Sequence, residues 1–112
     1  MARRPASLSV MVTAYVGLGA NLGDRAATLR EAVGRLSELG RVRAVSSLYE
    51  TEPVGFREQP PFLNAALALE TALAPTELLD ALIAIERALG RVRTFRNAPR
   101  TLDLHILLLR RV

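Results

Sequence analysis

The sequence predicts an α+β fold, a ferredoxin-like βαββαβ sandwich with an antiparallel sheet and two helices on one face. Three observations predict it. Apolar residues recur at helical spacing in two stretches, through Leu29, Val33, Leu36 and Leu39 and through Leu78, Leu82, Ile85 and Leu89. Four other stretches carry strand-forming or alternating residues, and their order around the helical stretches is that of a split βαβ unit. The last of them alternates Leu102, Leu104, Ile106 and Leu108 with Thr101, Asp103 and His105, the period-two pattern of a half-buried strand.

Thr13 to Leu18 reads as the first strand. Gly17, Gly19 and Gly23 punctuate the turn after it, and Asp24 suits an N-cap because its carboxylate can accept orphan backbone N–H groups. The first helix follows and Gly40 is expected to stop it. Val42 to Tyr49 reads as a single second strand, and the segment from Thr51 to Pro61 as a proline-stiffened loop. Phe62 to Thr71 alternates and forms the third strand. Pro75 suits the first turn of the second helix, whose apolar face is Leu78, Leu79, Leu82, Ile85 and Leu89, with Gly90 at its end.

The expected strand order is fourth-first-third-second. Alternation then sends Val16, Leu18, Leu63, Ala65, Leu67 and Leu69 toward the helices. The opposite face carries Phe62 and Asn64, Gly17 and Gly19, and Asp103 and His105. Glycines without side chains are expected to leave a trough between the first pair and the last. A one-residue slip of register would invert every one of these placements.

The 112 residues suffice for one domain. Residues 1–12 are expected to be a disordered lead-in and residues 13–112 the domain. The basic start has no continuous apolar stretch, so it does not read as a signal peptide. No apolar run approaches a membrane span, so no membrane partner is expected. The absence of cysteine excludes disulfide and thiolate chemistry and makes a reducing cytoplasm the default location. All 15 basic residues are arginine, which excludes a P-loop lysine and Schiff-base catalysis. Arg91, Arg93, Arg96 and Arg100 cluster in a stretch without an acid, which is either a solvated basic loop, a loop that grips phosphate or a contact for nucleic acid.

Several motifs have two readings each. Gly17-Leu-Gly19-Ala-Asn-Leu-Gly23 is either a phosphate-binding glycine loop or a tight strand-to-helix turn braced by Asn21. Asp103 and the only histidine, His105, lie about 7 Å apart at a rise of about 3.3 Å per residue. The histidine is either a surface or hydrogen-bonded residue or, with Asp103 at this spacing, one of two ligands of one metal or of a close metal pair. Phe62 and Asn64 are either ordinary strand residues or an aromatic edge and an amide for a flat heterocycle.

Taken in order, five segments resemble one family. They are Tyr15-Val-Gly-Leu-Gly-Ala-Asn-Leu-Gly, Ser46-Ser47-x-Tyr49-x-Thr51-x-Pro53-x-Gly55, Gln59-Pro60-x-Phe62-Leu63-Asn64-Ala65, Glu86-x-x-x-Gly90-Arg91-x-Arg93 and Pro99-Arg100-Thr101-Leu102-Asp103-Leu104. Together they closely resemble the 6-hydroxymethyl-7,8-dihydropterin pyrophosphokinases of folate biosynthesis. The resemblance implies the fold read above. It also implies transfer of pyrophosphate from ATP to the hydroxymethyl group of the pterin with two Mg²⁺ ions. By matched position it implies that Thr51, Val54, Phe62 and Asn64 line the pterin pocket. It places Arg91, Arg93, Arg96 and Arg100 in the nucleotide-binding loop, with Arg91 and Arg100 as the catalytic pair, and Asp103 and His105 at the metal positions. The implied partners are these small molecules and no nucleic acid, with the oligomeric state left open.

Three departures qualify the match. The family has a second Asp where this chain has His105, and Mg²⁺ prefers oxygen ligands. Family members continue past the last strand into a region that adds nucleotide and pterin contacts, whereas this sequence ends at Arg110-Arg111-Val112. Asn97 stands where many members have Trp. The first two bear on activity, and the alternative reading is a catalytically inactive pterin- or nucleotide-binding relic of the same fold. A further alternative, an RNA-binding module, shares the βαββαβ order, but its bases stack on open-face aromatics. The third strand instead offers Asn64, Ala66 and Ala68 after Phe62.

Overall fold

A computed structural model describes residues 10–52, 60–90 and 102–112. Its elements are β1 (Val12–Ala20), α1 (Arg25–Leu36), β2 (Arg41–Val45), β3 (Tyr49–Thr51), β4 (Phe62–Thr71), α2 (Pro75–Gly90) and β5 (Asp103–Arg111). Every strand pairing is antiparallel. The sheet runs β2-β4-β1-β5, with β3 also on β4. This is the expected α+β ferredoxin-like arrangement, with the second strand divided in two.

The division has a local cause. Between β2 and β3 the Ser46 N–H still donates to the Ala66 carbonyl at 2.8 Å, but the Ala66 N–H donates to the Ser46 hydroxyl at 2.9 Å. A serine side chain has taken the place of a backbone acceptor, as short hydroxyl side chains can. The ladder is interrupted there and resumes at Tyr49, opposite Asn64.

The Asp24 carboxylate caps α1 as expected, accepting from the Ala27 N–H at 3.1 Å. Gly40, however, does not stop the helix. The helix ends at Leu36, where Glu38 N–H and Leu39 N–H donate to the carbonyls of Arg35 and Leu36 in tighter, three-residue turns. Gly40 serves a different need: a Cβ there would collide with the Glu70 carbonyl oxygen and sit 3.1 Å from the Thr71 Cα. Gly17 and Gly19 lie inside β1, so of the three glycines only Gly23 belongs to the turn, and it alone has a left-handed φ, 68°.

Both helices pack on one face of the sheet and against each other. The core gathers Leu29, Ala32 and Leu36 of α1, Leu78, Leu82 and Ile85 of α2, and the inward residues of β1, β4 and β5. Each fully buried leucine contributes about 1.5–3 kcal/mol relative to exposure. Two expected core residues lie outside it. Leu79 is 47% exposed, because it sits a third of a turn from Leu78 and off the buried stripe. Leu108 is 55% exposed because β5 bulges: Val16 faces Ile106 but Tyr15 faces Leu108, leaving Leu107 as an extra residue. Beyond the bulge Leu109, opposite Ala14, takes the core-facing position. Among the described residues no helix is long and apolar enough to cross a membrane.

Candidate active site

The register places the candidate residues in two rows across the open face. Gly19 of β1 pairs with Asn64 on one side and Asp103 on the other. Gly17 pairs with Ala66 and with His105. Directly paired residues share a face, so Asn64, Asp103 and His105 all lie opposite the helices. Two strand spacings put Asn64 and Asp103 about 10 Å apart across Gly19. The side chains of Asp103 and His105 are 43% and 55% exposed.

The glycine positions are narrower than an open trough. The His105 ring lies over Gly17, where a Cβ would come within 2.7 Å of Nε2 and 2.8 Å of Cε1. The Asn64 amide and the Phe62 ring lean over Gly19, where a Cβ would meet Asn64 Oδ1 at 3.0 Å and Phe62 Cδ2 at 3.4 Å. Flanking side chains thus occupy part of the space that the glycines leave. His105 Nδ1 stands 3.7 Å from Asp103 Oδ2.

Thr51, Phe62 and Asn64 form one wall. Thr51 pairs with Phe62 and Tyr49 with Asn64 across β3 and β4. Asn64 Nδ2 donates to Thr51 Oγ1 at 2.7 Å, and also approaches the Phe62 carbonyl at 3.4 Å and the Tyr49 carbonyl at 3.5 Å. The amide is held by its nitrogen end, with its oxygen turned toward Gly19 and the middle of the face. An acceptor beside an aromatic ring suits a flat, N–H-bearing heterocycle. Val54, Arg91, Arg93, Arg96 and Arg100 lie outside the described residues.

Sequence reasoning missed three contributors. Arg25, the first residue of α1, donates to Glu50 Oε2 at 2.7 Å and to the Pro61 carbonyl at 2.9 Å. It therefore ties together the two ends of the segment between β3 and β4. Those partners are 25 and 36 residues away in sequence, so no local signal announces them. Glu86 of α2 accepts the Leu104 N–H at 2.6 Å, which anchors the start of β5 beside Asp103. Glu86 was visible in the sequence only as part of the motif ahead of Gly90. Tyr49, half exposed, adds a second aromatic next to Asn64.

The donor set can be weighed against the metal that the resemblance implies. Asp103 is a carboxylate of the kind that binds Mg²⁺ jointly with phosphate oxygens. His105 offers imidazole nitrogen, which a hard ion does not favour. Among the described residues no group of three or more His, Cys, Asp or Glu could hold a metal ion. A pair of Mg²⁺ ions does not fit these donors.

The family model described as 7,8-dihydro-6-hydroxymethylpterin-pyrophosphokinase matches residues 15–111. A 2-amino-4-hydroxy-6-hydroxymethyldihydropteridine pyrophosphokinase of Bacillus subtilis is 50% identical over 100 residues, covering 88% of this chain and 60% of that protein. One of Pseudomonas aeruginosa is 50% identical over 96 residues, covering 84% of this chain and 59% of that protein. The Folic acid synthesis protein fol1 of Schizosaccharomyces pombe is 40% identical over 97 residues, 85% of this chain and 13% of its own length. The chain thus spans about three-fifths of the two bacterial relatives.

Proposed function

The chain belongs to the 7,8-dihydro-6-hydroxymethylpterin-pyrophosphokinase family, and we propose that it transfers pyrophosphate from ATP to 6-hydroxymethyl-7,8-dihydropterin in folate biosynthesis. The observation that carries this reading is the Asn64 amide, clamped by Thr51 and flanked by Phe62, facing Asp103 across Gly19. One wall recognises a flat ring and the other handles charge, on a single face and within the reach of one bisubstrate complex.

In the transfer, the pterin hydroxymethyl oxygen forms a bond to the β-phosphorus of ATP as the bond from that phosphorus to the α-phosphate oxygen breaks. AMP leaves and the hydroxyl proton passes to solvent. Such a reaction needs positioning and charge neutralisation more than covalent help. Asn64, Phe62, Thr51 and Val54 hold the pterin. Arg91, Arg93, Arg96 and Arg100 neutralise the phosphates, with Arg91 and Arg100 as the catalytic pair, because guanidinium forks match phosphate oxygens. Arg25 and Glu86 are positioning residues for the two walls.

The direct test is AMP formation from ATP and hydroxymethyldihydropterin, run with each of several divalent ions. Turnover above buffer is the expected result, and its absence with every ion rejects the activity. Asn64→Ala removes the amide that faces Gly19, whose hydrogen bonds to a pterin would be worth about 0.5–1.5 kcal/mol each. It should weaken pterin binding by about tenfold or more in calorimetry. Binding of pterin or ATP without AMP formation would support the second reading, a binding relic, which the replacement of a carboxylate by His105 favours.

A further inference from the structure

We infer that the Asp103–His105 pair selects a borderline first-row divalent cation, of the class from Mn²⁺ to Zn²⁺, over Mg²⁺. The inference rests on the proposed function only in placing phosphates nearby. The preference itself is a property of two side chains.

Both side chains lie on the open face of β5 and are exposed enough for a hydrated ion to reach them. The imidazole is aimed, and the aim has a cause. The ring lies over Gly17, in space that any Cβ would take, since such a Cβ would stand 2.7 Å from Nε2. Lying there, the ring turns Nδ1 toward Asp103 Oδ2 at 3.7 Å. Two donors bound to one ion at about 2.0–2.2 Å sit about 3.0–3.5 Å apart. Asp103 Oδ2 and His105 Nδ1 stand less than an ångström from that separation.

The donor types then decide which cation. Mg²⁺ dehydrates reluctantly and wants oxygen at octahedral positions. With one carboxylate in place of two it also loses an anionic partner, and charge is most of what holds it. Imidazole suits zinc and its neighbours, and affinity for nitrogen and oxygen donors rises from Mn²⁺ to Cu²⁺ and falls back at Zn²⁺. For those ions the nitrogen bond offsets the missing negative charge. Remaining coordination positions are left for water or phosphate oxygens.

His105 is the only histidine, so the chain gives one set of imidazole NMR signals. The chain is titrated with Zn²⁺, Mn²⁺ or Mg²⁺ alone, with no nucleotide and no pterin. Zn²⁺ should shift the imidazole signals, Mn²⁺ should broaden them, and Mg²⁺ should leave them in place. Calorimetry should give Zn²⁺ an affinity at least about tenfold above Mg²⁺. In His105→Asp that ratio should fall by about tenfold or more, with the thermal melt checking that the variant is folded. An imidazole unmoved by Zn²⁺, equal affinities for the three ions, or an unchanged ratio in the variant would each overturn the inference. If the variant does not fold, the titration of the native chain decides alone. Nucleotide and pterin are absent throughout, so failure here leaves the AMP test untouched, and failure of that test leaves the metal order measurable.

Discussion

Adding one methyl group at Gly19 should damage pterin binding, whereas the same change two residues earlier should not. At Gly19 the new Cβ stands 3.0 Å from Asn64 Oδ1 and 3.4 Å from Phe62 Cδ2. Comfortable contact between such heavy atoms is about 3.5–4.0 Å. The amide must therefore give by a few tenths of an ångström, against its 2.7 Å bond to Thr51. Overpacking by a methylene costs about 1–3 kcal/mol in a tight core. Here the displaced groups are at the surface and can relax, and Gly→Ala returns about 0.4–1 kcal/mol through the unfolded chain. Stability should stay within about 1 kcal/mol of native. The cost reappears on binding, when pterin requires the displaced amide and ring in their original places. A loss of about 1–2 kcal/mol is a rise of about 5–30-fold in Kd. At Gly17 the methyl's nearest contacts are all at the far end of His105, a side chain 55% exposed and able to swing away. Gly17→Ala should bind pterin within about twofold of native while weakening Zn²⁺ binding, because the ring can no longer lie toward Asp103. Calorimetry with pterin and with Zn²⁺, alongside thermal melts, reads all three quantities. Native pterin affinity in Gly19→Ala, or an equal loss in Gly17→Ala, would refute the placement of Asn64 and Phe62 in the pocket.

Two further glycine changes should have opposite signs. Gly34 lies within α1 with nothing near its would-be Cβ, so Gly34→Ala should stabilise by about 0.5–1 kcal/mol and raise Tm by a few degrees. Gly40→Ala drives a Cβ into the β4 backbone and should destabilise by about 1–3 kcal/mol in the same thermal melt. Glu86→Ala removes the acceptor of the Leu104 N–H, so amide exchange at Leu104 should speed up by about tenfold or more, and far more than at Leu69 in the middle of the sheet.

Much of the fold was legible because its signals are local. Alternation marked β4 as Phe62–Thr71, and Pro75 with the helical leucines marked α2 as Pro75–Gly90, both as observed. Asp24 announced its own cap. The same alternation put Asn64, Gly19 and Asp103 on one face, and the register agrees. A side chain's face follows from its parity alone as long as pairing is regular. Where pairing is irregular that argument fails, which is why Leu108 was assigned to the core and the break at Ser46 was not foreseen.

The sequence by itself determined the alternation of strands and helices, the face shown by strand residues in regular pairing and the family to which the motifs belong. Only the tertiary structure decided that Gly40 serves a close backbone approach, that His105 rests on Gly17, and that Arg25 and Glu86 brace the two walls. The first group depends on periodicity and on neighbours a few residues apart. The second depends on atoms at least 18 residues away in the chain, whose proximity exists only once the sheet has closed its register.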